Sequence, residues 1–311
     1  MLDDRLTNPR DAGPMPISFT LAHLSDVHLA PLPGPRLLGL NAKQALGLLN
    51  WHRTRKSHHL RAVLDAIVSD VRASGADHIA VTGDLVNLGL PSEQAAALDW
   101  LRSLGPPERV TAIPGNHDVY GRAGNDPGTE RWRPFMGGAS GEPGFPFVKR
   151  CGNIALIGLS SAVPTPPFFA TGRLGAAQRA ALGETLAALR QNGFVRVVLI
   201  HHPPLPGLAD RFRRLDDAPE LAEVLAANGA ELVLHGHNHR PMLNFVQGPA
   251  GPIPVVGAPS ASASASHHEP GAGYNLLRLS LEEARCRIHL TRRAYGSDGV
   301  IATTEQRLLT P

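Results

Sequence analysis

Two kinds of apolar run alternate along this chain. The first is short, rich in β-branched residues and nearly continuous: residues 17–24, 78–82, 110–113, 154–159, 195–200 and 232–234. Such runs, bounded by turn residues, read as buried strands. The second has helical spacing. Leu60, Val63, Leu64, Ile67, Val68 and Val71 share one face of a helix that Gly75 ends. Ala95, Leu98, Leu101 and Leu104 stripe a helix that starts at Pro91-Ser92, and residues 176–191 and 219–228 are two more, the latter stopped by Gly229. Strand and helix alternate through most of the chain, which predicts an α/β class. Residues 254–256, 274–279 and 285–292 read as strands with no helix between them. They predict a second sheet or an antiparallel extension of the first.

The remaining stretches are less periodic. Residues 121–144 are dense in Gly, Pro and Arg and read as a long loop with one short helix around 132–136. The segment LLNWHRTRKSHHL at 48–60 is expected to run on into the 60–71 helix, and SASASAS at 260–266 is expected to be a flexible loop. There is no internal repeat and no linker between halves. We expect a flexible polar arm at 1–16 and one domain over 17–311, with a basic cap segment at 30–60 and C-terminal strands at 274–293.

Polar residues fall in a pattern of their own. Five of the apolar strands end in metal-ligand side chains: Asp26 and His28, Asp84, Asn116 and His117, His201, then His237 and His239. In open α/β sheets, ligands bind outside the carboxyl ends of the strands, so these residues are expected to converge. Asp26, Asp84 and Asn116 offer oxygen; His28, His201, His237 and His239 offer nitrogen. A mixed set without thiolate suits Mn, Fe or Zn better than Ca or Mg. Seven donors exceed one tetrahedral site, and if one carboxylate bridges they make two sites of four. Paired metals polarise both the attacking and the leaving oxygen of a phosphoryl transfer.

Composition narrows the setting. The 311 residues are 42% hydrophobic and 18% charged, enough for a sizeable core. A net charge of +3 is too mild to argue for nucleic acid. The two cysteines, Cys151 and Cys286, are far apart, which fits a reducing compartment. The N-terminus lacks the apolar region of a signal peptide, and no run approaches the length of a spanning helix. A cytoplasmic protein is the expectation.

The ordered pattern Asp26-x-His28, Gly83-Asp84, Gly115-Asn116-His117-Asp118, His201 and Gly236-His237-x-His239 resembles the calcineurin-like metallophosphoesterase superfamily. The resemblance covers roughly residues 17 to 260. Gly172-x-Leu174 with Gln178, and His201-His202-Pro203-Pro204, are similar to its bacterial class III cyclic-nucleotide phosphodiesterase branch. The resemblance implies a four-layer α/β/β/α sandwich of two mixed sheets flanked by helices. It implies that Asp26, His28 and His239 hold one metal, that Asn116, His201 and His237 hold a second, and that Asp84 bridges. His117 would protonate the leaving oxygen or stabilise phosphoryl charge. The implied activity is phosphodiester hydrolysis, of a cyclic nucleotide in that branch, by a metal-bridging hydroxide. Two other readings stand beside it: a lipid-linked pyrophosphate hydrolase at a membrane surface, and a non-catalytic metal-binding scaffold.

Several residues have bland readings. His23 reads as a packed core histidine, Asn87 as a loop or cap residue or a support behind the donors, Asp118 as a turn stabiliser or as the residue that orients the backbone or His117, and His202 and His235 as supports for their neighbours. The basic stretch with Arg53 and Arg55 is either a solvated face, a substrate-binding cap or a weak membrane contact. Phe168 and Phe169 either stack on a base or pack their own loop. His267 and His268 are expected at the surface.

Overall fold

The computed structural model describes residues 18–32, 40–120, 129–137, 144–265, 270–282 and 285–310. The arm at 1–16, residues 33–39 of the cap segment, most of the 121–144 loop, and His267 and His268 lie outside the described residues.

Two six-stranded mixed sheets form the centre of the fold. In the first, β1 (Phe19–Leu24) pairs in parallel with β2 (His78–Val81), which pairs in parallel with β3 (Val110–Ala112). The second holds β4 (Phe147–Cys151), β5 (Ile154–Gly158), β6 (Val195–Leu199), β7 (Leu232–His235), β9 (Gly251–Gly257) and β8 (Met242–Gly248), in that order across the sheet. The C-terminal strands β10 (Gly273–Glu282), β11 (Arg285–Tyr295) and β12 (Ile301–Leu308) extend the first sheet, β10 lying antiparallel against β1. The antiparallel extension expected from the sequence is therefore present, on the first sheet.

Period-two alternation places the layers. In the second sheet Ile154, Leu156, Val197, Leu199, Leu232 and Leu234 join the core that includes β1, β2 and β3. Their neighbours Ala155, Ile157, Val198 and Val233 instead pack with Leu182, Leu186 and Leu189 of α5 (Ala176–Gln191) and Leu221 and Leu225 of α6 (Ala218–Asn228). A strand whose alternate side chains meet a sheet on one side and helices on the other is buried on both faces, which is why these runs are continuously apolar. Val63, Leu64, Ile67, Val68 and Val71 of α3 (Arg61–Ala73) and Ala97, Trp100, Leu101 and Leu104 of α4 (Pro91–Leu104) belong to the core of the first sheet. The result is the α/β/β/α sandwich.

Two local expectations need correction. The 48–60 segment does not run on into α3. It forms α1 (Ala42–Asn50), a π turn (Trp51–Arg55) and the short α2 (Lys56–His58), and then breaks. His59 and Leu60 are extended. His59 makes a β-bridge to Ala263, Leu60 N–H donates to Ser262 O at 2.9 Å, and Ser264 N–H donates to His58 O at 2.8 Å. This pairing explains the second correction: Ser260, Ala261, Ser262 and Ala263 are buried, not a loose loop. The small side chains let the helical insert lie directly on the backbone at the mouth of the first sheet.

Candidate metal centre

The five polar strand ends meet at one edge of the sandwich. β1, β2 and β3 run in parallel, so their C-terminal loops emerge side by side; β6 and β7 of the other sheet do the same. Backbone bonds stitch the loops together. Asp26 N–H donates to Gly83 O at 3.0 Å, His28 N–H to Asp84 O at 2.9 Å, and Gly236 N–H to His201 O at 3.0 Å. Two bonds cross between sheets: His237 N–H donates to Asp26 Oδ2 at 2.9 Å, and His201 Nδ1 donates to Thr82 O at 2.7 Å.

The backbone is strained where the donors sit. Asp26 (φ +51°), His28 (+43°), Asp84 (+53°), His237 (+71°) and His239 (+53°) are all left-handed. Phe168, at +69°, is the sixth such non-glycine among the described residues. Each costs ~1–2 kcal/mol, and such strain concentrates at functional sites. The glycines beside the donors allow the close approach: a Cβ on Gly115 would collide with Asp84 Oδ1, and one on Gly236 with Ser25 Oγ.

Asp84 lies at the middle of the cluster. Its Oδ2 is 3.4 Å from His201 Nε2 and 3.8 Å from His28 Nε2, while Oδ1 accepts from His117 N–H at 2.8 Å. On one side His28 Nε2 is 3.3 Å from His239 Nε2, which is 3.3 Å from Asp26 Oδ1. On the other, His201 Nε2 is 3.2 Å from both Asn116 Oδ1 and His237 Nδ1. All seven residues are buried.

The hydrogen-bond partners test whether this set fits cations. His201 Nδ1, His28 Nδ1 and His237 Nε2 each face a backbone carbonyl: Thr82 at 2.7 Å, Val86 at 3.2 Å and Arg213 at 2.8 Å. A carbonyl only accepts, so these nitrogens carry the protons, and the other ring nitrogens point lone pairs into the cluster. With both rings neutral, His201 Nε2 and His237 Nδ1 face each other at 3.2 Å as two acceptors. Asp26 Oδ1 is buried and accepts no hydrogen bond. Acceptors crowded without donors are what an electropositive ion would satisfy.

Charge states agree at Asp26, Asp84, His28 and His237. Burial alone would raise Asp26 and Asp84, but the imidazoles reverse the sign. His239 and His201 hold Asp26 below its ordinary range, and His201, His117 and His28 hold Asp84 well below. His28 and His237 are driven well below 6.5, chiefly by burial. For His201 burial is outweighed by Asp84 and Asp26, which push it up to about 9. Without a cation, His201 Nε2 therefore carries a second proton beside Asp84, a positive charge that a bound ion would replace. Among the described residues, groups of three donors with atoms within 4.8 Å of one another are Asp84-His201-His237, His28-Asp84-His117 and His28-His59-His239.

Around the donors the bland readings resolve. His23 is buried between Thr82 Oγ1, at 2.9 Å, and Asn275 Nδ2, at 3.3 Å. Asp118 accepts from the N–H groups of Gly115 (2.8 Å), Leu85 (3.0 Å) and Val86 (3.0 Å), clamping the loops after β2 and β3. Asn87 does more than cap: its carbonyl takes the His117 Nδ1 proton at 2.7 Å, and its side chain donates to Leu29 O at 3.0 Å. His202 points its two ring nitrogens to Ser161 Oγ (2.7 Å) and Ala170 O (3.1 Å). His235 Nδ1 faces Gly236 O.

The cap segment divides. Arg55 reaches the centre, with Nη2 3.0 Å from His117 Nε2 and Nη1 3.2 Å from its Nδ1. Arg53 is exposed, with no contact to the cluster among the described residues. Tyr120 hydroxyl is 3.3 Å from His117 Nε2, and Lys43 lies over the Tyr120 ring at 4.5 Å while donating to Phe169 O at 3.0 Å. This chain of contacts brings the 165–169 loop to the rim. Phe169 meets Phe212 edge to face at 5.4 Å, but Phe168 is 85% exposed and does not pack its loop. Sequence reasoning missed His59. It is buried, its ring 4.4 Å from that of His28, and only its place at the end of a buried-exposed break in a basic run could have marked it.

Comparisons with known proteins bear on the family and the fold. The family model described as calcineurin-like phosphoesterase matches residues 19–241. A Synechococcus protein named probable cyclic nucleotide phosphodiesterase is 31% identical over 228 residues, covering 72% of this chain and 80% of its own. A dimetal phosphatase from Danio rerio superposes with a TM-score of 0.63 at 15% identity, over 95% of this chain and 99% of that one. Purple acid phosphatase from yellow lupin seeds superposes with a TM-score of 0.56 at 12% identity, over 92% and 53%. These two show a shared fold. Motif order, family match and the Synechococcus relative together make this chain a hydrolase of phosphoric esters, a member of the calcineurin-like phosphoesterase family.

Proposed function

We propose that the chain hydrolyses a phosphodiester at a centre of two metal ions and that its substrate is a cyclic nucleotide. The observation that carries the reaction is the crowding of seven ligand-type side chains, Asp84 at their middle, with carbonyl-anchored imidazoles and a buried Asp26 oxygen that accepts nothing. Asp26, His28 and His239 would hold one ion, Asn116, His201 and His237 the other, and Asp84 both. The donors suit Mn, Fe or Zn. When bound, such ions supply Lewis acidity to phosphoryl oxygens and acidify a water for in-line attack.

The chain's own residues do the rest. Ionised carboxylates and the neutral imidazoles of His28 and His237 are held ready by burial and by one another, and His201 gives up a proton to a bound cation. His117, with its Nδ1 proton bound to Asn87 O, presents Nε2 to the Arg55 guanidinium. Arg55 then aims donors at the developing charge on the phosphoryl group, and His117 orients them. Phe168 and Phe169 line the rim where a base would stack. The Synechococcus relative supports the cyclic nucleotide.

The test is a hydrolysis screen of metal-reconstituted protein on bis(p-nitrophenyl) phosphate, p-nitrophenyl phosphate, cyclic AMP and a nucleoside-diphosphate lipid. Diester and cyclic AMP cleavage, abolished together with metal uptake by Asp84→Ala, is the expected result. Turnover of the lipid alone would replace the cyclic nucleotide. Two bound metals with no turnover of any of the four would overturn the substrate reading, and no bound metal would overturn the centre.

A further inference from the structure

The helical insert brings His59 to a position that the family pattern does not contain. His59 is buried beside the half of the cluster built from Asp26, His28 and His239. A ring nitrogen of each of His28, His59 and His239 lies within 4.8 Å of the other two. Its ring centroid is 4.4 Å from that of His28 and 5.7 Å from that of His239. The backbone is pinned on both sides, by the bridge to Ala263 and by the bonds of Leu60 N–H to Ser262 O and Ser264 N–H to His58 O.

One ring nitrogen has a fixed neighbour. His59 Nδ1 lies 2.8 Å from Ser262 Oγ. Ser262 is itself seated, its N–H donating to Ser260 Oγ at 3.3 Å, and the Ser260 hydroxyl donates to the Asp26 carbonyl at 2.7 Å. An imidazole whose Nδ1–H is accepted by the Ser262 hydroxyl presents Nε2 as its ligand atom, one nitrogen tied by its proton and the other basic. The contacts end on the backbone of Asp26, itself a donor of the same half.

Resting on the two-metal reading above, we propose that His59 is an additional imidazole ligand of the ion held by Asp26, His28 and His239, and that the Ser262 hydroxyl accepts its Nδ1 proton. That half of the centre then has three imidazoles, and the cap segment is part of the metal site rather than a cover over it.

The experiment counts metals and imidazoles without reference to turnover. Metal-free wild type, His59→Gln, His59→Ala and Ser262→Ala are titrated with Mn and Co in a calorimeter. The Co-loaded proteins, labelled with nitrogen-15 histidine, are then examined by NMR for the hyperfine-shifted imidazole N–H protons of bound histidines. Wild type is expected to take two ions. Both His59 variants are expected to lose at least ~10-fold in affinity for one ion and one shifted N–H signal. Ser262→Ala keeps the imidazole, so it should lose less affinity and only move that signal; it also serves if a His59 variant does not fold. Unchanged affinity in both His59 variants, with the full set of shifted protons, overturns the proposal and leaves the two-metal reading standing. Wild type that takes up no metal overturns that reading instead.

Discussion

At the scale of single residues, the site is written in backbone angles as much as in side chains. Five of the proposed donors are left-handed non-glycines, held there by the loop bonds around them. The strain predicts an inversion of the usual substitution rule. In metal-free protein, His28→Gly should be more stable than His28→Ala by about 1 kcal/mol, because φ at this position is +43°. Urea unfolding in chelator measures the difference, and an alanine variant as stable as the glycine one would mean the loop relaxes freely. The two arginines of the cap give a second contrast. Arg55→Ala should lower kcat/KM by roughly 10²-fold, the loss expected for one donor to developing charge. Arg53→Ala should stay within about twofold, since Arg53 is exposed and Arg55 reaches His117. Steady-state kinetics on the best diester compares them. Most donors were legible because each directly follows an apolar run. His59 was not, because its environment is supplied by Ser260 and Ser262, far away in the chain.

At the scale of elements, legibility followed burial. Strands buried on both faces announce themselves as nearly continuous apolar runs, as β5, β6 with its single Arg196, and β7 do. β8 and β12 went unread because most of their residues are half-buried or exposed, and β12 lies at a sheet edge where polar residues suffice. The Ser/Ala stretch misled for a different reason. Small residues signal flexibility only when nothing rests on them, and here a helical insert does. One element junction carries a buried charge. Arg196 in β6 is 5% exposed and bonds Glu231 through Nη2 at 2.7 Å and Nε at 3.1 Å, and the carbonyls of Leu186 and Asn228 through Nη1. It joins α5, α6 and the approach to β7. Glu231→Ala leaves that guanidinium with carbonyls alone. It should destabilise the protein by about 3 kcal/mol, at the low end for a broken buried pair because Glu231 is itself partly exposed. Chemical denaturation reads the change, and a loss below ~1 kcal/mol would show that the carbonyls suffice.

At the scale of the whole molecule, the proposed centre draws donors from both sheets: Asp26, His28, Asp84 and Asn116 from the first, His201, His237 and His239 from the second. An ion held by both would act as a tie between layers. Metal at ~1,000 times its dissociation constant should stabilise the folded chain by about 4 kcal/mol, and a chelator should remove that gain. Calorimetric scans with and without chelator measure the shift in Tm. An unchanged Tm with metal bound would mean that the donors remain assembled after the sheets part. The sandwich itself could be read from the family pattern, but how the last strands joined it could not: residues 274–292 show β periodicity without naming their partner.

That partner has a consequence for biosynthesis. β10 pairs with β1 along Phe19 to His23, so an interior position of the first sheet is filled from more than two hundred and fifty residues downstream, as the pairs Phe19–Leu279 and His23–Asn275 show. A chain leaving the ribosome exposes β1 with one edge bare until residues 273–282 emerge. Ser260 and Ser262, which seat the insert and His59, emerge just before them. During synthesis the nascent protein therefore carries an open, apolar strand through most of its length, and the stretch that shields it arrives with the one that completes the mouth of the site.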